Sequence, residues 1–312
     1  MAIGKRMVSE KDREEDNPFT SCTVEKCHIK VNPSFKPIKE ELEEKEGDWG
    51  GNWKIAGHFL RFKDNTGIDY RERELKLARR IGVFWLYPQW GSYRVEDNGQ
   101  KGEGKWVGGG VRYKSVKVES YRKGIKTTYQ LEPFQFSYTR YGMVYSRRNY
   151  CSIHRKRHKW EVSYYSQLEK GRDLWWSMAL EKVDDGNWVF TPQFDLDFPP
   201  FHPIRRLTLT PNISGWYQFN KKTTKCYYSP HFVDSTIAHL KWKYDLIGNL
   251  KLTGKIGVGW SFKDGVLLKD GAIYLQYPPF GFKMGCEYDH TTSRSGKPYE
   301  SRECILRFEK VW

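Results

Sequence analysis

Residues 250–262 read LKLTGKIGVGWSF. Their even positions are Leu250, Leu252, Gly254, Ile256, Val258, Trp260 and Phe262, and Lys251, Thr253, Lys255, Gly257, Gly259 and Ser261 stand between them. Successive side chains of a strand point to opposite faces, so the stretch makes one apolar face and one basic, glycine-rich face. Neighbouring stretches repeat the pattern. Trp188, Phe190, Pro192, Phe194, Leu196 and Phe198 alternate with Val189, Thr191, Gln193, Asp195 and Asp197. In 207–219 the odd positions run from Leu207 to Phe219, and in 232–246 the even set includes Leu240, Trp242 and Tyr244, with Asp234 as an interruption. Phe280, Phe282, Met284, Cys286 and Tyr288 face away from Lys283 and Glu287. Alternation over about 9–13 residues exceeds the usual globular strand and matches a tilted strand crossing a bilayer.

The rest of the chain is consistent with strands. Turn signals recur at Asp97–Gly99, Asp184–Asn187, Lys263–Gly265, Lys269–Gly271 and Ser295–Lys297. RERELKLARRIG at 71–82 is the best helix candidate, with poor apolar spacing. Residues 1–48 are charge-rich and read as an arm or linker, leaving 49–312 for an all-β, antiparallel transmembrane barrel. At roughly 17 residues per strand and turn, this span holds about 16 strands. Pro192 and Pro211 fall within strands and require a bulge or a missing ladder bond.

Composition has to be read against those faces. The chain has 312 residues, 53 Lys and Arg against 38 Asp and Glu, a net charge of +15 and 16% aromatic residues. Mean hydropathy is −0.77. No apolar run approaches the ~18 residues of a membrane helix, which excludes only the helical class of membrane protein. A positive charge this large also fits a soluble all-β nucleic-acid-binding or capsid-like protein that meets phosphate with its basic face, the competing reading. A third is a secreted carbohydrate-binding or hydrolytic sandwich. The opening MAIGKRMVSEKDREEDNPF has no apolar core of ~7–15 residues, so no secretory signal is read there.

Chemistry-bearing motifs are sparse. No nucleophile elbow, phosphate loop, zincin helix or paired CxxC is present, so no enzyme activity and no cofactor are expected. Cys151, His154 and His158 have knuckle spacing but read as a solvated loop rather than a metal site. Arg147, Arg148, Arg155, Lys156, Arg157, His158 and Lys159 form a basic cluster expected in the same long loop. Cys286 and Cys304 could face each other on the last two strands, as thiols or a disulfide. Lys241, Lys243, Lys251, Lys255, Lys263 and Lys283 all take the polar face, which would line a lumen and favour anions, with Asp195, Asp197 and Glu287 as counter-charges. Trp188, Phe190, Phe194, Phe198, Trp242, Trp260, Phe262, Phe308 and Trp312 are the aromatics expected to face the membrane.

The chain ends CILRFEKVW, with Cys304, Leu306, Phe308 and Trp312 on one face. This ending resembles that of bacterial outer-membrane β-barrels, whose last strand commonly closes on Phe or Trp for recognition by the assembly machinery. Lys310 departs from that pattern. DYRERELKLARRIG, the turn at Asp97–Gly99 and CYYSPHFVDSTIAHLKWKYDL (226–246) resemble the barrel portion of exopolysaccharide-export porins for poly-N-acetylglucosamine or cellulose. Those porins carry helical repeats before the barrel; none is visible in this sequence. The resemblance implies an outer-membrane setting, in a Gram-negative bacterium or on an organelle. It also implies a lipid bilayer, lipopolysaccharide and the assembly machinery as partners, and a polysaccharide as a candidate solute.

Overall fold

The computed structural model describes residues 53–65, 67–97, 100–121, 124–142, 156–168, 171–223, 231–291 and 299–311. The strands are β1 (Trp53–Asp64), β2 (Ile68–Ile81), β3 (Phe84–Asp97), β4 (Gln100–Tyr113), β5 (Val116–Tyr121), β6 (Gly124–Leu131), β7 (Phe134–Gly142) and β8 (Lys156–Leu168). They continue as β9 (Arg172–Val183), β10 (Trp188–Asp197), β11 (Phe201–Ile204), β12 (Leu207–Asn220), β13 (Phe232–Asp245), β14 (Lys251–Ser261), β15 (Val266–Tyr277), β16 (Phe282–Thr291) and β17 (Tyr299–Val311). Each pairs antiparallel with its neighbours, and β1 pairs with both β2 and β17, which closes the sheet. Pro199 and Pro200 interrupt one stave, so β10 and the short β11 both lie along β12. The result is a closed barrel of sixteen staves. No helix among the described residues is long and apolar enough to cross a membrane.

Burial is inverted relative to a water-soluble domain. The most deeply buried side chains include Gln89, Ser177, Asn212, Ser261, Thr291 and Ser301, while Ile256, Val258, Trp260, Ile273, Met284, Leu306 and Phe308 are exposed. Among the described residues Ile237, Val266 and Leu268 form a small cluster of buried apolar side chains. Polar groups take the inside because they can hydrogen-bond there; apolar groups take the outside, as lipid contact requires. Aromatics stack on the outward face near both ends. Phe190, Phe219 and Phe232 follow one another at 6.1 and 4.7 Å, and Phe134, Tyr164 and Trp176 at 5.1 and 5.7 Å.

The two barrel ends differ. Both described termini lie at one end, where the connections are 82–83, 114–115, 132–133, 169–171, 205–206, 246–250 and 278–281. The opposite end carries the longer connections, 143–155, 221–231 and 292–298 among them. Outer-membrane barrels have this asymmetry, with short turns on the periplasmic side.

Several expectations are corrected. The poorly spaced helix candidate at 71–82 belongs to strand β2, as the all-β reading expects, and its outward positions carry Arg71 and Arg73. Lys269–Gly271 is no turn but the middle of β15. Lys156–Lys159 belong to β8 rather than to a loop, whereas Arg147, Arg148, Cys151, His154 and Arg155 lie outside the described residues. So do residues 1–48, the tips of the turns expected at Asp97–Gly99 and Ser295–Lys297, and Trp312. Pro192 and Pro88 fall at gaps in the ladder, and Pro211 stays in register with Leu240 of β13, its carbonyl accepting the Phe198 N–H just beyond the last pair of β10 with β12. Pairing between β10 and β12 skips from Phe190–Phe219 to Gln193–Trp216 around Pro192, and β2–β3 pairing skips the position of Pro88. Cys286 and Cys304 are direct cross-strand partners and are joined by a disulfide on the outward face.

Candidate functional site

The candidate site is the barrel interior. Cross-strand register fixes which residues share it, because directly paired residues point to the same face. Asp195 and Asp197 of β10, Asn212 of β12 and Lys241 of β13 meet there. The Lys241 ammonium lies 3.1 Å from Asp195 and 2.7 Å from Asp197. The Asn212 amide donates to both carboxylates at 2.8 Å. That orientation turns the Asn212 carbonyl oxygen toward His239 Nδ1, 3.0 Å away, and His239 Nε2 lies 2.9 Å from Asp270. Asp270 also takes the Lys255 ammonium at 3.1 Å. A single chain of charge-assisted contacts therefore crosses five neighbouring staves, from Asp197 to Lys255.

Glycine makes room for this arrangement. A Cβ at Gly257 would stand 1.9 Å from an Asp270 oxygen and 2.4 Å from the His239 ring. On the outward side a Cβ at Gly254 would stand 2.5 Å from the Trp242 ring. The glycines of 250–262 let one ring lie flat on each side of the wall.

The remaining proposed lumen residues are placed as follows. Lys243 is 4.0 Å from Asp245, and Lys251 pairs in register with that same aspartate. The Lys283 ammonium sits 4.3 Å from the centre of the Tyr274 ring. Glu287 accepts a hydrogen bond from Tyr274 and stands opposite Glu303, with Asp289 opposite Asp270. Lys263 belongs to the turn after β14, where it donates to the Phe232 carbonyl and lies away from the interior. Elsewhere on the inward face Arg157 pairs with Glu181 and Lys159 with Glu161, each at 3.0 Å. Lys76 and Lys117 share Glu119, at 3.2 and 3.0 Å. His58, Glu72 and Glu74 bring ligand atoms within 4.8 Å of one another, a grouping that the His58–Glu74 pair at 3.5 Å already accounts for.

The aromatic set divides in the same manner. Trp188, Phe190, Phe194, Trp242, Trp260 and Phe308 stand on the outward face by register. Phe198 follows the end of β10, where its N–H donates to the Pro211 carbonyl at 2.9 Å. Phe262 is an exposed turn residue. A second aromatic set lies inward: Tyr87, Trp106, Trp175 and Trp216 share faces with Gln89, Gly91, Asp195 and Gln193. Tyr87 Oη and Trp106 Nε1 are buried without a hydrogen-bond partner among the described residues. Asn212, His239, Asp270, Glu303 and these inward aromatics were not singled out from the sequence. Their parity on each strand is the signal that finds them once the register is known.

No protein-family model matches the chain. No curated protein matches it either. Solved structures do. A bacterial polysaccharide outer membrane secretin superposes with a TM-score of 0.50 at 12% identity, covering 82% of this chain and 97% of that one. Pseudomonas aeruginosa OpdK with vanillate superposes with a TM-score of 0.46 at 9% identity, covering 83% and 98%. OccK5 (OpdH) of the same organism gives 0.43 at 7%, covering 83% and 98%. The chain has the fold of a bacterial outer-membrane β-barrel.

Proposed function

We propose that the protein is an outer-membrane channel for hydroxyl-rich, saccharide-like solutes, with at most a weak preference for anions. The observation that carries this reading is the state of the interior charges. Lys241 and Lys255, the lysines nearest the middle of their strands, each contact carboxylates, and Asp270, Glu287, Asp289 and Glu303 add an acidic strip across β15–β17. A lumen of balanced charge has little field with which to select anions. Uncharged groups then carry recognition. Half-buried Ser137, Ser214, Thr253 and Gln276 supply hydroxyls and an amide on the inward face, and Tyr93 and Trp216 supply flat apolar surface. Sugars present both kinds of surface, hydroxyl edges and apolar ring faces. The polysaccharide role of the secretin it resembles in fold is in keeping with this assignment.

Planar-bilayer recording of the purified chain tests it. Step conductances with near-equal anion and cation permeability, blocked in a concentration-dependent way by a neutral oligosaccharide, are expected. A strongly anion-selective pore indifferent to oligosaccharide would return the account to the lysine-lined anion channel.

A further inference from the structure

Outward-facing positions of a membrane barrel should be apolar, and on one sector they stop being so at a shared level. Moving from the terminal end, β1 presents Trp53, Ile55, Gly57 and Phe59 outward, then Arg61 and Lys63. On β2, inside Arg79 at the terminal rim, the run is Leu77 and Leu75, then Arg73, Arg71 and Asp69; on β3 it is Leu86, Pro88 and Trp90, then Ser92 and Arg94. β17 passes from Phe308 and Leu306 to Arg302. The cations are in register: Arg61 pairs with Arg71, Arg71 with Arg94, and Lys63 with Arg302.

Like charges opposite one another on adjacent strands destabilise a sheet unless something neutralises them. The protein supplies one carboxylate at the centre. Arg61, Lys63 and Arg71 converge on Asp69 at 3.0, 3.4 and 3.2 Å, three cations on one carboxylate. Glu96 stands opposite Asp69 and Glu103 opposite Arg94, while Arg73 and Arg302 extend the patch. The three converging cations remain 40, 54 and 46% exposed. Arg61 Nε is buried with no hydrogen-bond partner among the described residues.

We propose that this sector, centred on Arg61, Lys63, Arg71 and Arg94, is a docking surface for the phosphorylated headgroup of a membrane glycolipid, the lipid A portion of lipopolysaccharide. Three observations select this occupant. The patch begins where the apolar band ends, the depth at which acyl chains give way to headgroups. It lies toward the end with the longer connections, which in outer-membrane barrels faces the lipopolysaccharide leaflet. Arginine forks fit phosphate oxygens bidentately, and Asp69 holds two of them side by side in advance. The acyl chains would lie against Phe59, Leu75 and Trp90 below. This inference rests on the placement in an outer membrane but not on what the lumen conducts, so conductance and lipid binding can fail separately.

The test uses the full chain in detergent micelles, with diphosphoryl lipid A and dephosphorylated lipid A as probes. Diphosphoryl lipid A should bind at least about tenfold more tightly. The triple variant Arg61→Gln/Lys63→Gln/Arg71→Gln should lose that difference, while Lys182→Gln/Lys269→Gln, which removes outward cations of other staves, should keep it. Equal binding of the two lipids overturns the proposal, as does a triple variant that discriminates like the wild type. Complete displacement of the lipid by millimolar inorganic phosphate would assign the patch to free phosphate and overturn the lipid assignment. Should the triple variant fail to form the heat-modifiable barrel, the comparison of the two lipids on the wild-type chain decides alone.

Discussion

The wall formed by β9–β14 and the wall formed by β17 and β1–β4 share one architecture and solve the membrane problem differently. In the first, outward positions stay apolar or aromatic over most of each strand, as Phe190, Phe194, Ile213, Phe219, Ile256, Val258 and Trp260 do. The inward side of that wall is a connected polar lattice through Asn212, His239 and, on the next strand, Asp270. In the second, the outward apolar run is cut short by Arg61, Arg71, Arg94 and Arg302. Alternation defines the barrel in both, but only the first wall alternates between apolar and polar. The second alternates along part of its length between two kinds of polar residue, and there the lipid contact ends.

Substitutions in the two walls should have unequal effects. The largest effect is expected at Asp270, which is 8% exposed and holds both His239 and Lys255. Asp270→Ala leaves the Lys255 ammonium and the His239 ring without their shared carboxylate and should cost about 3–5 kcal/mol. The measurement is the temperature at which the folded electrophoretic band disappears, and Asp270→Asn should recover part of the loss. Next comes Ile256→Arg, which puts a charge in the middle of the apolar band of the first wall at a cost of roughly 2–4 kcal/mol. Urea unfolding in lipid vesicles reads it directly, and a variant as stable as wild type would remove β14 from the hydrocarbon. Gly254→Val should cost about 1–3 kcal/mol by overpacking. Its Cβ would lie 2.4 Å from the Ala272 carbonyl oxygen and displace Trp242, whose fluorescence should shift. The smallest effect is expected in the second wall, where Arg71→Leu should change stability by no more than about 0.5 kcal/mol in a lipid free of phosphorylated sugar. A large loss there would mean that Arg71 supports the sheet itself.

The contrast also explains how far the sequence could be read. The clean alternation of 188–198, 207–219, 232–246 and 250–262 placed the apolar face outward and predicted a barrel of about 16 staves, matching the sixteen of the closed sheet. The second wall is harder to read, because Arg71 and Arg73 stand where the pattern expects apolar residues, and 71–82 shows neither clean strand alternation nor clean helical spacing. The interior was legible as a face but not as a site. Lys241 and Lys255 look like free positive charges along their own strands; their neutralisation by Asp195, Asp197 and Asp270 depends on cross-strand register, a long-range property. Asp270 was masked further by sitting in Lys269-Asp270-Gly271, a tripeptide with turn composition that the neighbouring strands hold extended.

Alternate residues of each stave face lipid and water. Single cysteines introduced along β14 at Lys251, Leu252, Thr253, Lys255, Ile256 and Val258 test this alternation, in a background with the native cysteines replaced by serine and the barrel reconstituted in vesicles. A membrane-impermeant thiol reagent should label positions 251, 253 and 255, while 252, 256 and 258 react only with a lipid-soluble reagent. Uniform labelling along the strand, or the opposite parity, would contradict the account.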